Sequence, residues 1–317
     1  MSLLRPVFAL FVGLGLFFLV GCGGSSSGGA VIGFAQGGSE SSWREAETES
    51  IKSAAKEAGY DLRYANAEQR PDQQVSQVRG FIAQGVDVII ISPIEKTGWE
   101  EVLGEARDAG IPVVLVDRGI DTEDETLYST LIASDFVEEG RMAANWLVEN
   151  KPGGANIVEL AGLPGADPAI DRKKGFAEVI DATDGFTIIE SQAANFQRAE
   201  GKDVMTALLQ RSDLEIDVVY AHNDDMALGA IEAIKAQGLT LGEDIIVISI
   251  DGVRAAFESM AAGELSATVE CNPLLGPKTM EVIAQLLAGE EVPHRIVSED
   301  KLYEASQAAE ALPNRGY

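Results

Sequence analysis

Short, nearly continuous apolar segments alternate with longer amphipathic segments from residue 30 to the C-terminus. The segment 88–91 (Val-Ile-Ile-Ile) is typical of a parallel strand that is covered on both faces. We predict strands at 31–35, 62–65, 88–92, 113–116, 157–160, 187–190, 218–221 and 245–250. We predict helices at 43–58, 72–84, 99–109, 170–180, 199–209, 226–236, 254–261 and 273–287.

This alternation predicts an α/β fold, because parallel strands need a helical crossover between them. The strand–helix rhythm restarts in the second half of the chain, so we expect two doubly wound parallel-sheet lobes. Residues 131–135 and 267–273 are the predicted passages between the lobes. Ligands of open α/β sheets bind at the carboxyl ends of the strands, and side chains directly after each strand are therefore the candidates for function.

The N-terminal segment has the pattern of a processed signal. Arg5 supplies a positive charge, the apolar run 8–20 is too short to span a bilayer, and Leu-Val-Gly-Cys closes the segment at Cys22. That ending resembles the lipobox of bacterial lipoproteins, which implies removal of residues 1–21 and acylation of Cys22. Residues 22–29 are rich in glycine and serine and predict a flexible tether. An uncleaved anchor with an incidental cysteine is the alternative.

Charge and composition exclude several classes of protein. The chain has 51 acidic and 24 basic residues and a net charge of -27, which disfavours nucleic acid as a partner and is compatible with a saline habitat. It contains two histidines, so a histidine-rich metal site is not expected, and no cofactor motif is present. Of its two cysteines only Cys271 remains after acylation of Cys22, so no internal disulfide is expected.

The first half of the chain places aromatic and charged side chains after two strands. Trp43 opens a helix, where it serves either as partial core or as a flat platform for the C–H face of a sugar ring. Glu47 lies four residues later on the same helix face. Asp117 and Arg118 end the fourth strand; this is a common turn position, but together they offer acceptors and forked donors to a hydroxyl group.

The second half repeats this arrangement. Arg172 lies near the start of a helix, Phe196 and Asn223 follow the next two strands, and Asp251 follows a third. Each could be a cap or a turn residue by itself. Because both halves place planar polar groups and an aromatic ring at strand ends, the sum favours a binding cleft for a polyol.

Enzymatic alternatives have less support. No Gly-x-Ser-x-Gly elbow and no phosphate-binding loop is present, so no catalytic residue is predicted. Carboxylates at 47, 117 and 251 leave glycoside processing open as an alternative.

The chain contains the motifs Gly-Ser-Glu-Ser-Ser-Trp-Arg-Glu-Ala-Glu (38–47), Gln-Gly-Val-Asp (84–87) with Ser-Pro (92–93) and Thr-Gly-Trp-Glu (97–100), and the segments 169–178, 220–226 and 249–253. Together these resemble the type I bacterial sugar-binding proteins of ribose-binding type, particularly the galactofuranose-binding subgroup. The resemblance covers residues 30–317. It implies a stacking role for Trp43 and further first-lobe contacts from Ser41, Arg44 and Ser92. It also implies that the ligand is bound by Asp117, Arg118, Arg172, Phe196, Asn223 and Asp251. The chain departs from the ribose-type pattern at Cys271, where those proteins have glutamine.

The same resemblance implies a third passage near 298–301, a first lobe of residues 30–134 plus 272–299, and a second lobe of residues 135–271 plus 300–317. We therefore expect an exported, lipid-anchored monomer, periplasmic or on the cell surface, that binds a monosaccharide. Galactofuranose is the first candidate, and an ABC permease is the expected partner. A sensory module that presents its closed form to a chemoreceptor or kinase is the alternative. A repressor is disfavoured, because a signal peptide stands where its DNA-binding domain would be.

Overall fold

The computed structural model describes Met1 and residues 29–317, so the predicted signal peptide, Cys22 and most of the tether lie outside the described residues. The first sheet is entirely parallel, with strand order β11-β5-β4-β3-β1-β2. Its strands are β1 (Val31–Gln36), β2 (Asp61–Asn66), β3 (Val88–Ile91), β4 (Val113–Val116), β5 (Thr130–Ala133) and β11 (Arg295–Val297). The helices packed around it are α1 (Ser42–Glu57), α2 (Pro71–Gln84), α3 (Glu100–Asp108) and α9 (Gly276–Leu287). We call this unit the first lobe.

The second sheet has strand order β12-β10-β9-β8-β6-β7, and β12 is its antiparallel edge strand. Its strands are β6 (Ala155–Ala161), β7 (Phe186–Ala193), β8 (Val218–Ala221), β9 (Ile246–Asp251), β10 (Ala267–Glu270) and β12 (Leu302–Glu304). The helices are α4 (Phe136–Asn150), α5 (Asp167–Ile180), α6 (Arg198–Leu209), α7 (Asp224–Ala236), α8 (Arg254–Ala261) and the short α10 (Ala308–Ala311). We call this unit the second lobe. The predicted class, two doubly wound parallel-sheet lobes, is confirmed.

The chain passes between the lobes three times, after β5, after β10 and after β11. Most of the predicted passages 131–135 and 267–273 belongs to strands β5 and β10, because their apolar residues Leu131, Ile132 and Val269 are buried in the sheets. The chain leaves each sheet only after these strands end. Helix α4 was absent from the sequence prediction. Within the described residues, no helix combines the length and the apolar character needed to cross a bilayer.

Helix α9 begins later than the predicted residue 273. The Asn272 Oδ1 accepts a hydrogen bond from the Leu274 amide (2.9 Å), which makes a turn before the helix. The Gly276 amide then donates to the Ser50 Oγ of α1 (3.0 Å) and fixes the start of α9 against that helix.

Two glycines let α4 and α5 approach backbone to backbone. A Cβ on Gly140 would lie 2.3 Å from the Arg172 carbonyl oxygen, and one on Gly175 would lie 1.9 Å from the Val137 carbonyl oxygen. Any side chain at either position would therefore separate the helices. This close packing brings the α4 side chain of Glu139 next to Arg172 of α5.

Candidate functional site

A cavity lies between the two lobes, at the carboxyl ends of both sheets. Its lining combines two aromatic rings with three guanidinium groups and three carboxylates. The lining residues are Glu40, Ser41, Trp43, Arg44, Asp117, Arg118, Pro168, Arg172, Phe196, Asn223 and Asp251.

Arg44 is the centre of the polar network in the first lobe. Its Nη2 donates to the Asp117 Oδ2 (2.6 Å), and its Nη1 donates to the Glu47 Oε2 (2.5 Å) and the Ser92 Oγ (2.8 Å). Its Nε lies 3.4 Å from the Glu40 Oε1. These groups are almost completely buried, so the guanidinium is held in one orientation before any ligand arrives.

Arg118 shares Glu40 with Arg44. Its Nη2 donates to the Glu40 Oε1 (3.1 Å), and its guanidinium lies over the Phe196 ring of the second lobe, 5.5 Å from the ring centroid. Burial raises the pKa of Glu40, but the charges of Arg44 and Arg118 outweigh it and hold that pKa below its ordinary value. The Nε of Arg118 is buried and has no hydrogen-bond partner among the described residues. A ligand hydroxyl would satisfy this donor, which is costly to leave unpaired.

The beginning of α1 presents Trp43 to the cavity. Ser41 is the N-cap of this helix, and its Oγ accepts a hydrogen bond from the Arg44 amide (3.2 Å). The Trp43 indole donates to the Cys271 carbonyl oxygen (2.6 Å) and packs within the core cluster of the second lobe. Trp43 is therefore both a core residue and part of the cavity wall. The sequence predicted a place in the core and a place in the binding site as alternatives.

Arg172 is the corresponding group of the second lobe. Its Nε donates to the Glu139 Oε2 (2.7 Å) and its Nη1 to the His222 carbonyl oxygen (2.6 Å), while its Nη2 lies 3.5 Å from the Asp251 Oδ1. Burial raises the pKa of Glu139 to about 7, and the opposing charge of Arg172 does not restore its ordinary value. Burial likewise raises the pKa of Asp251 well above its ordinary range.

Asn223 and Phe196 form one unit beside Arg172. The Asn223 Oδ1 caps α7 by accepting from the Met226 amide (3.0 Å), and its Nδ2 donates to the Phe196 carbonyl oxygen (3.2 Å). A Cβ on Gly162 would lie 2.0 Å from the Phe196 ring, so only glycine lets this ring take its position. The capping role predicted as an alternative for Asn223 thus coexists with a place in the cavity wall.

The backbone is strained at three of the cavity residues. Asp117 and Phe196 each have a φ of 63°, and Asp251 has a φ of 128°, in the region that favours glycine. Non-glycine residues in this region cluster at ligand clamps, because the surrounding structure must hold them there. The strain therefore supports a functional role for these strand ends in both lobes.

All the predicted site residues except Glu47 and Ser92 line the cavity. Those two lie behind Arg44, where they hold its guanidinium. Glu40 and Pro168 also line the cavity and were not predicted. The spacing of Glu40 four residues before Arg44 was an available signal for Glu40. Cys271 lies outside the lining, with its Sγ 3.5 Å from the Ser134 Oγ at the first passage between the lobes.

The chemistry of the site favours a neutral ligand with several hydroxyl groups. Each of the three guanidinium groups already lies against a carboxylate, so the cavity offers mixed donors and acceptors rather than a surplus of positive charge. A hydroxyl group both donates and accepts, and therefore matches such pairs. The rings of Trp43 and Phe196 add apolar surface for C–H groups.

Comparison with known proteins agrees with this geometry. Residues 32–291 match the family model described as periplasmic binding protein domain. The chain is 44% identical to the galactofuranose-binding protein YtfQ of Escherichia coli, over 90% of this chain and 92% of that protein. A Mycobacterium smegmatis protein solved in complex with β-D-fucofuranose is 50% identical, with a TM-score of 0.88 over 91% of this chain and 95% of that one. The binding protein of the arabinose ABC transporter from Shewanella sp. ANA-3, bound to α- and β-L-arabinofuranose, is 44% identical, with a TM-score of 0.88 over 90% and 95% of the two chains.

Proposed function

The chain belongs to the periplasmic binding protein family, and we propose that it captures a monosaccharide in furanose form between its two lobes, as the lipid-anchored binding protein of an ABC sugar importer. Galactofuranose is the first candidate. The observation that carries this proposal is the cavity itself, in which both lobes supply arginine–carboxylate pairs and one aromatic ring.

The chemistry of the cavity supports a sugar rather than a charged metabolite. A sugar acid or a sugar phosphate would need an unpaired cation, whereas Arg44, Arg118 and Arg172 are each in contact with carboxylates. Sugar hydroxyls would complete the hydrogen bonding of groups such as the buried Arg118 Nε. The ligand would be enclosed by both lobes, so it would favour the closed form over an open one.

The furanose ring form is supported by similarity. Galactofuranose, fucofuranose and arabinofuranose are named for three proteins to which this chain is 44–50% identical.

The test is a titration of the purified protein with D-galactose labelled with ¹³C at C1, followed by NMR. We expect saturable binding and a bound anomeric signal at the furanose position, although the pyranose form dominates in solution. A bound pyranose signal would exclude the proposed ring form. The absence of saturable binding across a broad panel of monosaccharides would exclude sugar capture.

Anchoring and import need separate experiments in cells. We expect labelled palmitate to be incorporated into the protein and to be lost in Cys22→Ala. Deletion of the gene should abolish uptake of the bound sugar, whereas a sensory role would leave uptake intact and abolish the response to the sugar. An unlabelled wild-type protein would exclude the lipid anchor.

A further inference from the structure

Two carboxylates of the second lobe bind the first lobe outside the sugar cavity. The Asp225 Oδ2 accepts hydrogen bonds from both the amide and the Oγ of Ser42 (2.8 Å each). The Asp167 Oδ1 accepts from the Lys96 Nζ (2.6 Å), and its Oδ2 accepts from the Gly119 amide (2.8 Å). Neither aspartate belongs to the cavity lining.

The two contacts lie at different places along the rim of the cavity. Asp225 meets the segment that follows β1, whereas Asp167 meets the segments that follow β3 and β4. The Lys96 amide also donates to the Gly165 carbonyl oxygen (3.1 Å), next to the Asp167 contact. The rim is thus held at two points, one after β1 and one after β3 and β4.

These contacts exist only while the lobes are together. Their partners belong to different lobes, so opening at the three passages would separate each pair and return both carboxylates to water. Asp225 and Asp167 are 8% and 7% exposed in the closed arrangement, so their hydrogen bonds to the first lobe are shielded from water there. An interaction made in one of two states shifts the equilibrium toward that state.

The Asp225 contact lies at the N-terminus of α1. Ser42 is the first residue of α1, and the first amides of a helix have no partner inside their own helix. In the closed arrangement the Asp225 carboxylate supplies this partner and places a negative charge at the positive end of α1. A carboxylate of the second lobe therefore completes the N-terminus of a helix in the first lobe.

We propose that Asp167 and Asp225 are closure latches, which set how often the ligand-free protein closes and thereby tune its apparent affinity without touching the sugar. The affinity part rests on the proposed function, because it assumes that closure encloses a sugar. Since the apparent dissociation constant is the intrinsic one divided by the closed fraction, loss of a latch weakens binding by the factor by which it lowers that fraction.

The first experiment needs no ligand. Exchange of the Ser42 and Gly119 amides with solvent is measured by NMR in the ligand-free protein and in Asp167→Ala and Asp225→Ala. We expect each variant to accelerate exchange at least fivefold at both amides, including the one whose own partner is intact, because closure is a single event. Acceleration confined to the amide next to the substitution would overturn the proposal. Unprotected amides in the wild-type protein would also overturn it.

The second experiment measures the apparent Kd for D-galactose. We expect Asp167→Ala and Asp225→Ala each to weaken binding about tenfold. Their combination should weaken it by several hundredfold, more than the product of the two, because protected amides require the ligand-free wild-type protein to be mostly closed. Lys96→Met should weaken binding by part of the Asp167→Ala effect, because the Gly119 amide still donates to Asp167, and should add little to Asp167→Ala when the two are combined. This separates the contact between lobes from a local effect on α5. The control Glu178→Ala removes the same charge from the same helix, but Glu178 pairs with Arg141 inside the second lobe, so affinity should stay within twofold.

The two proposals fail differently. If the wild-type protein binds no sugar, but exchange at both amides accelerates in either aspartate variant, the proposed closure latches are supported and sugar capture is excluded. If the sugar binds to both aspartate variants with unchanged affinity, sugar capture is supported and the closure latches are excluded.

Discussion

The two lobes hold their arginines in similar ways but surround them with different charges. In the first lobe two guanidinium groups, Arg44 and Arg118, share the nearby carboxylates and keep the pKa of Glu40 low. In the second lobe Arg172 alone faces Glu139 and Asp251, and burial raises both pKa values. Glu47 binds Arg44 from behind the cavity and behaves like the carboxyl groups of the second lobe, because burial raises its pKa as well. A second cation therefore distinguishes Glu40, whose pKa lies below its ordinary value, from Glu47 and Glu139, whose pKa burial raises above it.

The largest expected effect comes from removing the central arginine of each lobe. Arg44→Met leaves Glu40, Glu47 and Asp117 without their common partner, and we expect it to lower the free energy of unfolding by about 3–5 kcal/mol at pH 7. Arg172→Met should cost less, about 2–3 kcal/mol, because Glu139 takes up a proton near neutral pH. Urea denaturation measures both values.

A matched control is Arg211→Met, whose guanidinium lies at the surface beside Glu190 and Asp213, and which should leave the unfolding curve unchanged. Equal decreases in the free energy of unfolding for Arg44→Met and Arg172→Met would contradict the proposed difference in charge environment between the lobes.

The aromatic walls provide the next comparison. Trp43→Ala should weaken D-galactose binding by about 2–3 kcal/mol, through loss of stacking and of buried apolar area. Phe196→Ala should cost somewhat less, because its ring is smaller. Isothermal titration calorimetry measures both, with Trp146→Phe on the outer face of the second lobe as a control that keeps the wild-type affinity. An unchanged affinity in Trp43→Ala would exclude this residue from the sugar site.

The pH dependence of stability separates the lobes further. Glu139 loses its proton at about pH 7 in the folded protein and near its ordinary value of 4.5 when unfolded, so the folded state holds the extra proton between these values. Its contribution to stability is therefore greatest below pH 4.5 and is lost as the pH rises to 7. Glu139→Gln cannot titrate, and we expect the fall in unfolding free energy over this range to shrink by about 2 kcal/mol.

Denaturation at several pH values checks this, with Glu178→Gln as a surface control that keeps the wild-type slope. Part of the slope should remain in Glu139→Gln, because burial also raises the pKa of Asp300 to about 6. A slope identical to that of the wild-type protein would show that Glu139 does not hold the proton.

The smallest expected effect belongs to the support behind Arg44. Ser92→Ala removes one hydrogen bond to its Nη1 and should lower the unfolding free energy by about 1 kcal/mol. Because Ser92 lies outside the cavity lining, affinity for D-galactose should fall less than threefold. A loss as large as that of Trp43→Ala would mean that Ser92 contacts the sugar directly.

The sequence could predict the strand ends, since apolar runs such as Val88–Ile91 stop sharply and the next side chains lie at a common edge. This rule places Asp117 at the carboxyl edge of the first sheet, and Phe196 and Asp251 at the carboxyl edge of the second. It does not bring the two edges together, and the resemblance was needed to single out Ser41, Arg44 and Ser92. Their contact with a ligand stays a prediction.

Other features depend on contacts between distant segments. Glu139 lies on α4, a helix absent from the prediction, and its place beside Arg172 depends on the glycines at 140 and 175. Strands β11 and β12 are three residues long and gain their strand character from pairing with β5 and β10. The contacts of Asp167 and Asp225 require the two lobes to be brought together, which no local pattern encodes.

The three passages between the lobes also determine the order in which a growing polypeptide becomes complete. A chain that ends after β10 has a second sheet that lacks only its edge strand β12, whereas its first sheet lacks β11 and its α1 lacks the partner α9. Both lobes are therefore completed by the segments that follow β10 rather than one after the other. A premature stop after residue 275 would leave both unfinished, and would abolish ligand capture while every residue of the cavity wall is still present in the product.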